Sequence, residues 1–439
     1  MGDYNMKARL LAAAMGAATV LGGGNAFAAD LGGNCCADLE ERIAELEATT
    51  ARKGNRKVSL TITGWVSSQL YWFDDGVESN VYVVDNNNDL SSNVKFTGSA
   101  QISPGWKAGY SLWIYTNGPS SLNSNEDWDG NPARGWGLNV ENSYWFIQSD
   151  SLGKLSVGKQ SLAADNAALG TDFSGTLFPA NSVTFDGGAL RIVENGVDTG
   201  GRWMNVAFWC EHAGVGIGND CAGARLNGVR YDTPTFAGFT LGASWGEDDY
   251  WDVALRYSGE FSGFRLAFAT AYSESTDADI TGTGANTNDN QYFQVGGMIK
   301  HLASGLWVHG TWGRNYIDDV PNNPAHPDST GWYLKAGWTT KFSALGNTHF
   351  YGEYGENEDG FRNDQPCGSI FGDGCVNGVQ VVASEATRYG AGIVQEIDAA
   401  AMSLWAKWRH HELDGALDNG AAFAADDVDM FLAGAVIFY

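Results

Sequence analysis

Apolar and polar residues alternate along most of this chain with a period of two. In the stretch "LTITGWVSSQLYW", one parity is apolar, with Leu60, Ile62, Val66, Leu70 and Trp72. The other parity is polar, with Thr61, Thr63, Ser67 and Gln69. Successive side chains of a strand point to opposite faces, so this pattern predicts a β-strand with one apolar and one polar face.

The same alternation recurs in sixteen short segments between Val58 and Tyr439. The connections between successive segments alternate between short turns, such as "SDSLG" and "EFSG", and longer polar loops. An even number of strands with this alternation of connections predicts an all-β fold, a 16-stranded antiparallel transmembrane β-barrel. A soluble sandwich or propeller would also show alternation, because its strands have one buried face.

Two features favour the membrane barrel over a soluble fold. Aromatic residues lie at the strand ends on the apolar parity, as the girdles at a membrane interface require: Trp72, Trp251, Trp332, Trp338, Trp408 and Tyr439. The opposite parity carries charges that a packed core would not accept: Lys95, Lys107, Asp252, Arg256, Lys335, Lys407 and Arg409. We therefore assign residues 58–439 to a barrel whose polar face lines water.

The amino-terminal segment predicts export. Lys7 and Arg9 precede an apolar run that ends at Ala26-Phe27-Ala28, which is typical of a cleaved signal peptide over residues 1–28. A membrane anchor is the alternative. Residues 29–57 then predict a short periplasmic, coiled-coil-like helix and a linker, because apolar positions recur at spacings of three and four. An amphipathic helix lying on its own domain is the other interpretation.

Charge and motifs exclude several classes of function. The chain has 52 acidic and 26 basic residues, a net charge of −26, which argues against nucleic acid as a partner. The segment Gly242–Gly246 matches the G-x-S-x-G pattern of hydrolases, but it lacks the strand, sharp turn and helix that such a nucleophile needs. The sequence predicts neither an enzyme nor a cofactor or metal site.

Six cysteines in an exported chain indicate disulfides. Fifteen pairings are possible, and we favour the two local ones, Cys210 with Cys221 and Cys367 with Cys375, because each pair lies inside one polar loop. Cys35 and Cys36 remain beside the predicted helix, in a position to link neighbouring chains.

Several segments resemble the general diffusion porins of Gram-negative bacteria, particularly the alphaproteobacterial branch. They are "NVKFTGSAQI", "LGKLSVGKQ" before a long loop, "RLNGVRYDTPTFAGF" after it, and the terminal pair Phe438 and Tyr439. The resemblance implies a homotrimer in outer-membrane lipid. It also implies that Phe438 and Tyr439 act as the signal read by the outer-membrane assembly machinery, although the family usually ends in Phe.

The resemblance further implies that the loop after the fifth strand, residues 161–223, folds inward and narrows the pore. Its acids would then face a basic patch on the wall. The acidic candidates are Asp165, Asp172 and Asp186, and the basic candidates are Lys95, Lys159, Arg225 and Arg230. Strict alternation places Arg230 inward and Arg225 outward, whereas the family pattern favours Arg225, and we retain both.

These observations predict an outer-membrane channel for passive diffusion of small hydrophilic solutes and ions. The surplus of acids leads us to expect mild cation selectivity. One alternative is a sugar-selective channel, which would use lumen-parity aromatics such as Trp113, Tyr115, Trp307, Tyr333 and Trp405. Another is a structural or adhesive barrel tethered to the cell wall.

Overall fold

The computed structural model describes most of the chain from Lys57 onward. The described residues are 57–86, 90–128, 137–210, 217–223, 225–247, 249–276, 290–317, 327–362, 367 and 374–439. The predicted signal peptide (1–28), nearly all of the predicted helix and linker (29–57), and Cys35 and Cys36 lie outside the described residues.

Sixteen long strands form one closed antiparallel barrel. In chain order they are β1 Thr61–Asp74, β2 Asn93–Ser103, β3 Trp106–Asn117, β4 Gly137–Ser149, β5 Gly153–Ser161, β6 Arg225–Asp232, β7 Phe239–Gly246, β8 Tyr250–Phe261, β9 Phe264–Ser275, β10 Asn290–His301, β11 Leu306–Ile317, β12 Ser329–Ser343, β13 Gly346–Glu358, β14 Val379–Ile397, β15 Met402–Leu417 and β16 Val428–Phe438. Each strand pairs with the next, and β1 pairs with β16, with Trp72 opposite Phe431. The predicted barrel is confirmed.

Side chains divide between the two faces of the wall as the alternation predicted. In β1, Val66 is 53% exposed on the outer face, whereas Ser67 and Gln69 are each 2% exposed on the inner face. The strand-end aromatics Trp251 and Trp338 are likewise exposed on the outer face. The apolar face therefore lies where lipid would contact it, and the polar face is enclosed.

The connections alternate in length around the barrel. At the short-turn end, Ser262 and Gly263 alone join β8 to β9, and both have positive φ angles, 49° and 83°. Two successive positive φ angles define a type I′ turn, whose twist matches that of a two-stranded hairpin. The long loops leave the opposite end.

The long loops contain shorter elements. These are the strands Ser79–Val84, Arg191–Glu194, Val197–Arg202, Cys375–Val376 and Ala422–Ala424, the 3₁₀ turn Leu169–Thr171 and the π-helix Met204–Phe208. A second 3₁₀ turn, Asp398–Ala400, lies at the short-turn end between β14 and β15. None of the helices in the described residues is long and apolar enough to cross a membrane.

An apolar core fills part of the barrel mouth at the long-loop end. Trp203 and Phe208 of the loop after β5 pack with Tyr71 of β1, Leu413 of β15 and Met430 of β16. All five are buried. Burying this much apolar surface inside the barrel fixes the loop against one side of the wall.

Candidate functional site

The loop between β5 and β6 lies inside the barrel, and we call its described residues within 162–223 the inner loop. The first part of the inner loop crosses the inner faces of β7, β8 and β10. The amide of Ala163 donates to Ser244 Oγ at 2.7 Å, that of Ala164 to Asp252 Oδ2 at 2.7 Å, and that of Ala168 to Gln294 Oε1 at 2.9 Å. Inward-facing polar side chains thus satisfy backbone donors that have no partner within the loop.

Small residues allow the inner loop to approach the wall this closely. Ala163 and Ala167 pack against inward alanines such as Ala254 and Ala269. At Gly296 of β10, an added Cβ would lie 2.5 Å from the carbonyl oxygen of Ala168. The wall at this point has room only for glycine.

The middle of the inner loop is held by a buried ion pair. Lys335 Nζ of β12 donates to Asp172 Oδ2 and to the carbonyl oxygen of Ala180, each at 2.6 Å. Both charged side chains are 0% exposed. Burial by itself raises the pKa of Asp172, but the adjacent Lys335 charge outweighs it and the pKa falls below its ordinary value.

Asp186 forms the second buried attachment, to two cations of β15. It accepts hydrogen bonds from Lys407 and, at 2.6 Å, from Arg409 Nη1. Arg409 also pairs with Glu353 of β13 at 2.8 Å. Although burial raises the pKa of Asp186, the charges of Lys407 and Arg409 lower it to about 2. The carboxylate therefore stays ionised at any pH above about 4.

Arg388 of β14 adds a third attachment through the loop backbone. Its guanidinium donates to the carbonyl oxygens of Asn181 and Ser182, at 3.2 and 2.7 Å, and to Thr184 Oγ1. The planar fork of an arginine suits several acceptors on one turn of chain. Together the three attachments keep the inner loop against β12 to β15.

Only part of the wall remains uncovered by the inner loop. Inward side chains of β11 to β13 are buried, including His309, Tyr351 and Glu353. Inward side chains of β3 and β4, such as Tyr115 and Tyr144, stay partly exposed. At the depth of the attached inner loop, the free lumen therefore lies between this loop and the strands β2 to β5.

Two of the candidate residues, Arg225 and Asp165, meet at the base of the inner loop. Arg225 donates to Asp165 and lies 3.1 Å from Glu141 of β4. Burial raises the pKa of Asp165 more than Arg225 lowers it. Arg230 faces inward, binds Asp232 through Nε and Nη2, and donates from Nη1 to the carbonyl oxygen of Leu162 at 3.0 Å.

Lys95 and Lys159 lie on opposite faces of the wall. Lys95 faces the lumen, with its ammonium 5.5 Å from the ring centre of Trp113. In β5, Ser156 and Gln160 are buried on the inner face, and Lys159 has the opposite parity. Its ammonium donates on the outer face to the carbonyl oxygen of Val140 at 2.9 Å. The strand alternation therefore places Lys159 away from the pore.

The cations that hold Asp172 and Asp186 were not among the predicted constriction residues. Lys335, Lys407 and Arg409 did have inward parity in the sequence, and that parity was the available signal. No sequence pattern indicated which inward cation each loop acid would meet, because a loop of this length can reach any part of the wall.

Three of the five lumen-parity aromatics are covered by the inner loop. Trp307, Tyr333 and Trp405 are 3%, 1% and 4% exposed. Trp113 and Tyr115 keep partial exposure. The aromatic ladder of a sugar channel would need rings that a solute can touch, and the three covered rings cannot serve this role.

The hydrolase-like motif has a structural role in the described residues. Ser244 lies within β7, is buried, and its Oγ accepts the amide hydrogen of Ala163. Among the described residues, no group of three or more His, Cys, Asp or Glu could hold a metal ion. The local geometry thus assigns Ser244 to the attachment of the inner loop.

The disulfides and the terminal aromatics are placed as follows. Cys210 is bonded to Cys221 within the inner loop, and Cys367 to Cys375 in the loop after β13. Phe438 faces inward, and its ring centre lies 5.6 Å from that of Phe178 in the inner loop. Tyr439 is 56% exposed and extends the pairing with β1, its amide donating to the carbonyl oxygen of Gly64 at 3.1 Å.

Comparison with known proteins points to one family. A family model described as Gram-negative porin matches residues 12–415. The fold is similar to that of an anion-selective porin from Comamonas acidovorans, with a TM-score of 0.55 and 15% identity over 87% of this chain and 100% of that one. It is also similar to the trimer form of OmpT, an outer membrane protein of Vibrio cholerae, with a TM-score of 0.50 and 14% identity over 87% and 99% of the two chains. Among curated proteins, none matches this chain.

Proposed function

We propose, from the premise that this chain belongs to the Gram-negative porin family, that its inner loop sets the width of a passive diffusion channel. The barrel is a multi-pass outer-membrane protein, and it gives small hydrophilic solutes a water-filled path across a layer that they cannot otherwise cross. The alphaproteobacterial branch stays a prediction.

One observation carries the proposal about the inner loop. Asp172 and Asp186 are bound to inward cations of β12 and β15 inside the barrel, with their side chains at most 3% exposed. Removing one partner of a buried ion pair leaves an uncompensated charge and costs about 3 to 5 kcal/mol. A loop attached in this way stays in the lumen during solute passage. At the depth of these ion pairs, it leaves the water path along β2 to β5.

The proposal includes assembly and partners. The trimer form of the Vibrio cholerae protein supports a homotrimer for this chain, which shares its fold. Outer-membrane lipid would contact the exposed apolar face, where Val66 and Trp338 lie. We retain Phe438 and Tyr439 as the signal for the outer-membrane assembly machinery. Gram-negative porins are normally non-enzymatic channels, and we propose that no reaction accompanies transport.

The alternatives receive less support. The sugar channel loses three of its five candidate aromatic rings beneath the inner loop. The tethered barrel depends on residues 29–57, which lie almost entirely outside the described residues. Neither alternative explains why buried ion pairs hold a loop across the lumen.

Conductance in planar bilayers with a series of sugars of rising size tests the proposal. Small sugars should enter the pore and lower its conductance, and larger ones should be excluded and leave it unchanged. A protein that assembles but never conducts would contradict the channel function. Saturable block by a single sugar at low concentration would instead support the selective channel.

A further inference from the structure

Four cations face the lumen at the short-turn end of their strands, and we call them the cationic belt. They are Lys107 of β3, Lys154 of β5, Arg265 of β9 and Lys300 of β10. Each is the second or the penultimate residue of its strand, so the four lie at similar depth.

Contacts with other inward groups fix the orientation of the belt. The Lys154 ammonium lies 4.7 Å from the ring centre of Phe146. The Arg265 guanidinium lies 4.6 Å from the ring centre of Phe173 in the inner loop. Lys300 Nζ donates to Thr339 Oγ1 at 2.9 Å. Lys107 is exposed and shares the neighbour Gln148 with Lys154 in the strand register.

The acids of the inner loop do not oppose the belt. Asp165 and Asp172 have side chains that are 0% exposed, and Asp186 is 3% exposed, each already paired with a wall cation. The loop residue that reaches the belt is the apolar Phe173. A solute ion at this depth therefore meets the belt without a screen of loop carboxylates.

Wall carboxylates offset the belt only in part. Asp232 accepts hydrogen bonds from Nε and Nη2 of Arg230. Glu260 lies opposite Arg265 in the register, and Glu396 lies 3.1 Å from His349. Glu260 and Glu396 leave the four cations of the belt with a net positive charge. Lys95, which has no ion pair among the described residues, adds another positive charge nearer the long-loop end.

We propose that the cationic belt makes this channel prefer small hydrophilic anions, despite the net charge of −26. The proposal rests on the channel function proposed above and names its preferred solutes. Surplus acids that lie in outer loops concentrate cations at the mouth, where water screens them within about 10 Å at 0.1 M salt. The narrow lumen is where an ion passes close to fixed charge. One uncompensated charge about 6 Å from the ion changes its local concentration about threefold in water.

Reversal potentials of the full-length protein in planar bilayers test the proposal, with a potassium chloride gradient whose dilute side is near 0.1 M. The wild-type potential should show chloride preferred over potassium. Lys107→Gln, Lys154→Gln and Arg265→Gln should each shift the potential toward cations, and the triple variant should lose the anion preference. Lys159→Gln removes the same charge from the outer face and should leave the potential unchanged.

The outcomes separate this inference from the channel function. Stepwise conductance with cation preference, or with a potential that the belt substitutions do not move, would overturn the inference and leave the porin function intact. Absence of conductance from assembled wild-type protein would overturn the channel function itself. If the triple variant does not assemble, the single variants decide, since each removes one exposed or partly exposed side chain.

Discussion

Replacing Asp186 by Asn should loosen the inner loop while leaving the barrel closed. Asp186 pairs with Lys407 and Arg409 in a site where all three side chains are at most 3% exposed. Asparagine keeps the shape and an acceptor oxygen but removes the charge. Arg409 retains its pair with Glu353. In the part of the chain that the structure describes, Lys407 keeps one hydrogen bond, to the carbonyl oxygen of Pro179 at 2.6 Å.

The magnitude follows from this loss of compensation. Removing one partner of a buried pair costs about 3 to 5 kcal/mol. Because Arg409 keeps its pair with Glu353, we expect a cost near the lower value for Asp186→Asn. About 3 kcal/mol corresponds to roughly a hundredfold rise in the population with the loop detached. Because the strand pairing does not involve Asp186, the temperature of heat denaturation of the barrel should change little, whereas the population with the loop detached should rise.

Single-channel recording measures the effect directly. Asp186→Asn should show frequent conductance fluctuations and faster proteolysis within the inner loop. Asp127→Asn is the matched control, because the Asp127 side chain is 70% exposed and its pair with Arg191 lies at the surface. Identical traces and proteolysis rates for Asp186→Asn and the wild type would refute the assignment of Asp186 as an attachment.

Three further predictions concern the same loop. The attachment through Asp186 is complete above the ordinary carboxyl pKa near 4 and is lost as the pH falls toward the folded pKa of about 2. Acid should therefore induce the same conductance fluctuations as Asp186→Asn, and single-channel recordings at stepped pH would detect them. Gly296→Ala should loosen the loop at a cost of about 1 to 3 kcal/mol, measured by proteolysis, whereas Gly297→Ala should not, since a Cβ there meets nothing nearer than 3.4 Å. Mass spectrometry of non-reduced digests should pair Cys210 with Cys221, a loop closure that stabilises by roughly 2 to 3 kcal/mol; free thiols would contradict it.

Strand alternation made the barrel predictable from sequence. A period of two assigns every residue to a face without knowledge of its neighbours, so the outward Trp338 and the inward Lys335 could both be read from the chain. The same rule favoured Arg230 as inward and Arg225 as outward. Arg230 does contact the inner loop, but Arg225, at the first position of β6, also pairs with Asp165 of that loop. The resemblance to porins had suggested Lys159 as a pore residue, and the alternation seen in β5 of the structure places it outward.

The sequence by itself determined the wall: which residues face lipid, which face the lumen, and where the chain leaves the barrel for a long loop. Only the tertiary structure decided where that loop goes. The pairing of Asp172 with Lys335, and of Asp186 with Lys407, joins residues 163 and 221 positions apart. Such contacts depend on the closure of the barrel and on the space left by residues such as Gly296. Local periodicity contains no information about them, because an irregular loop has no repeating face.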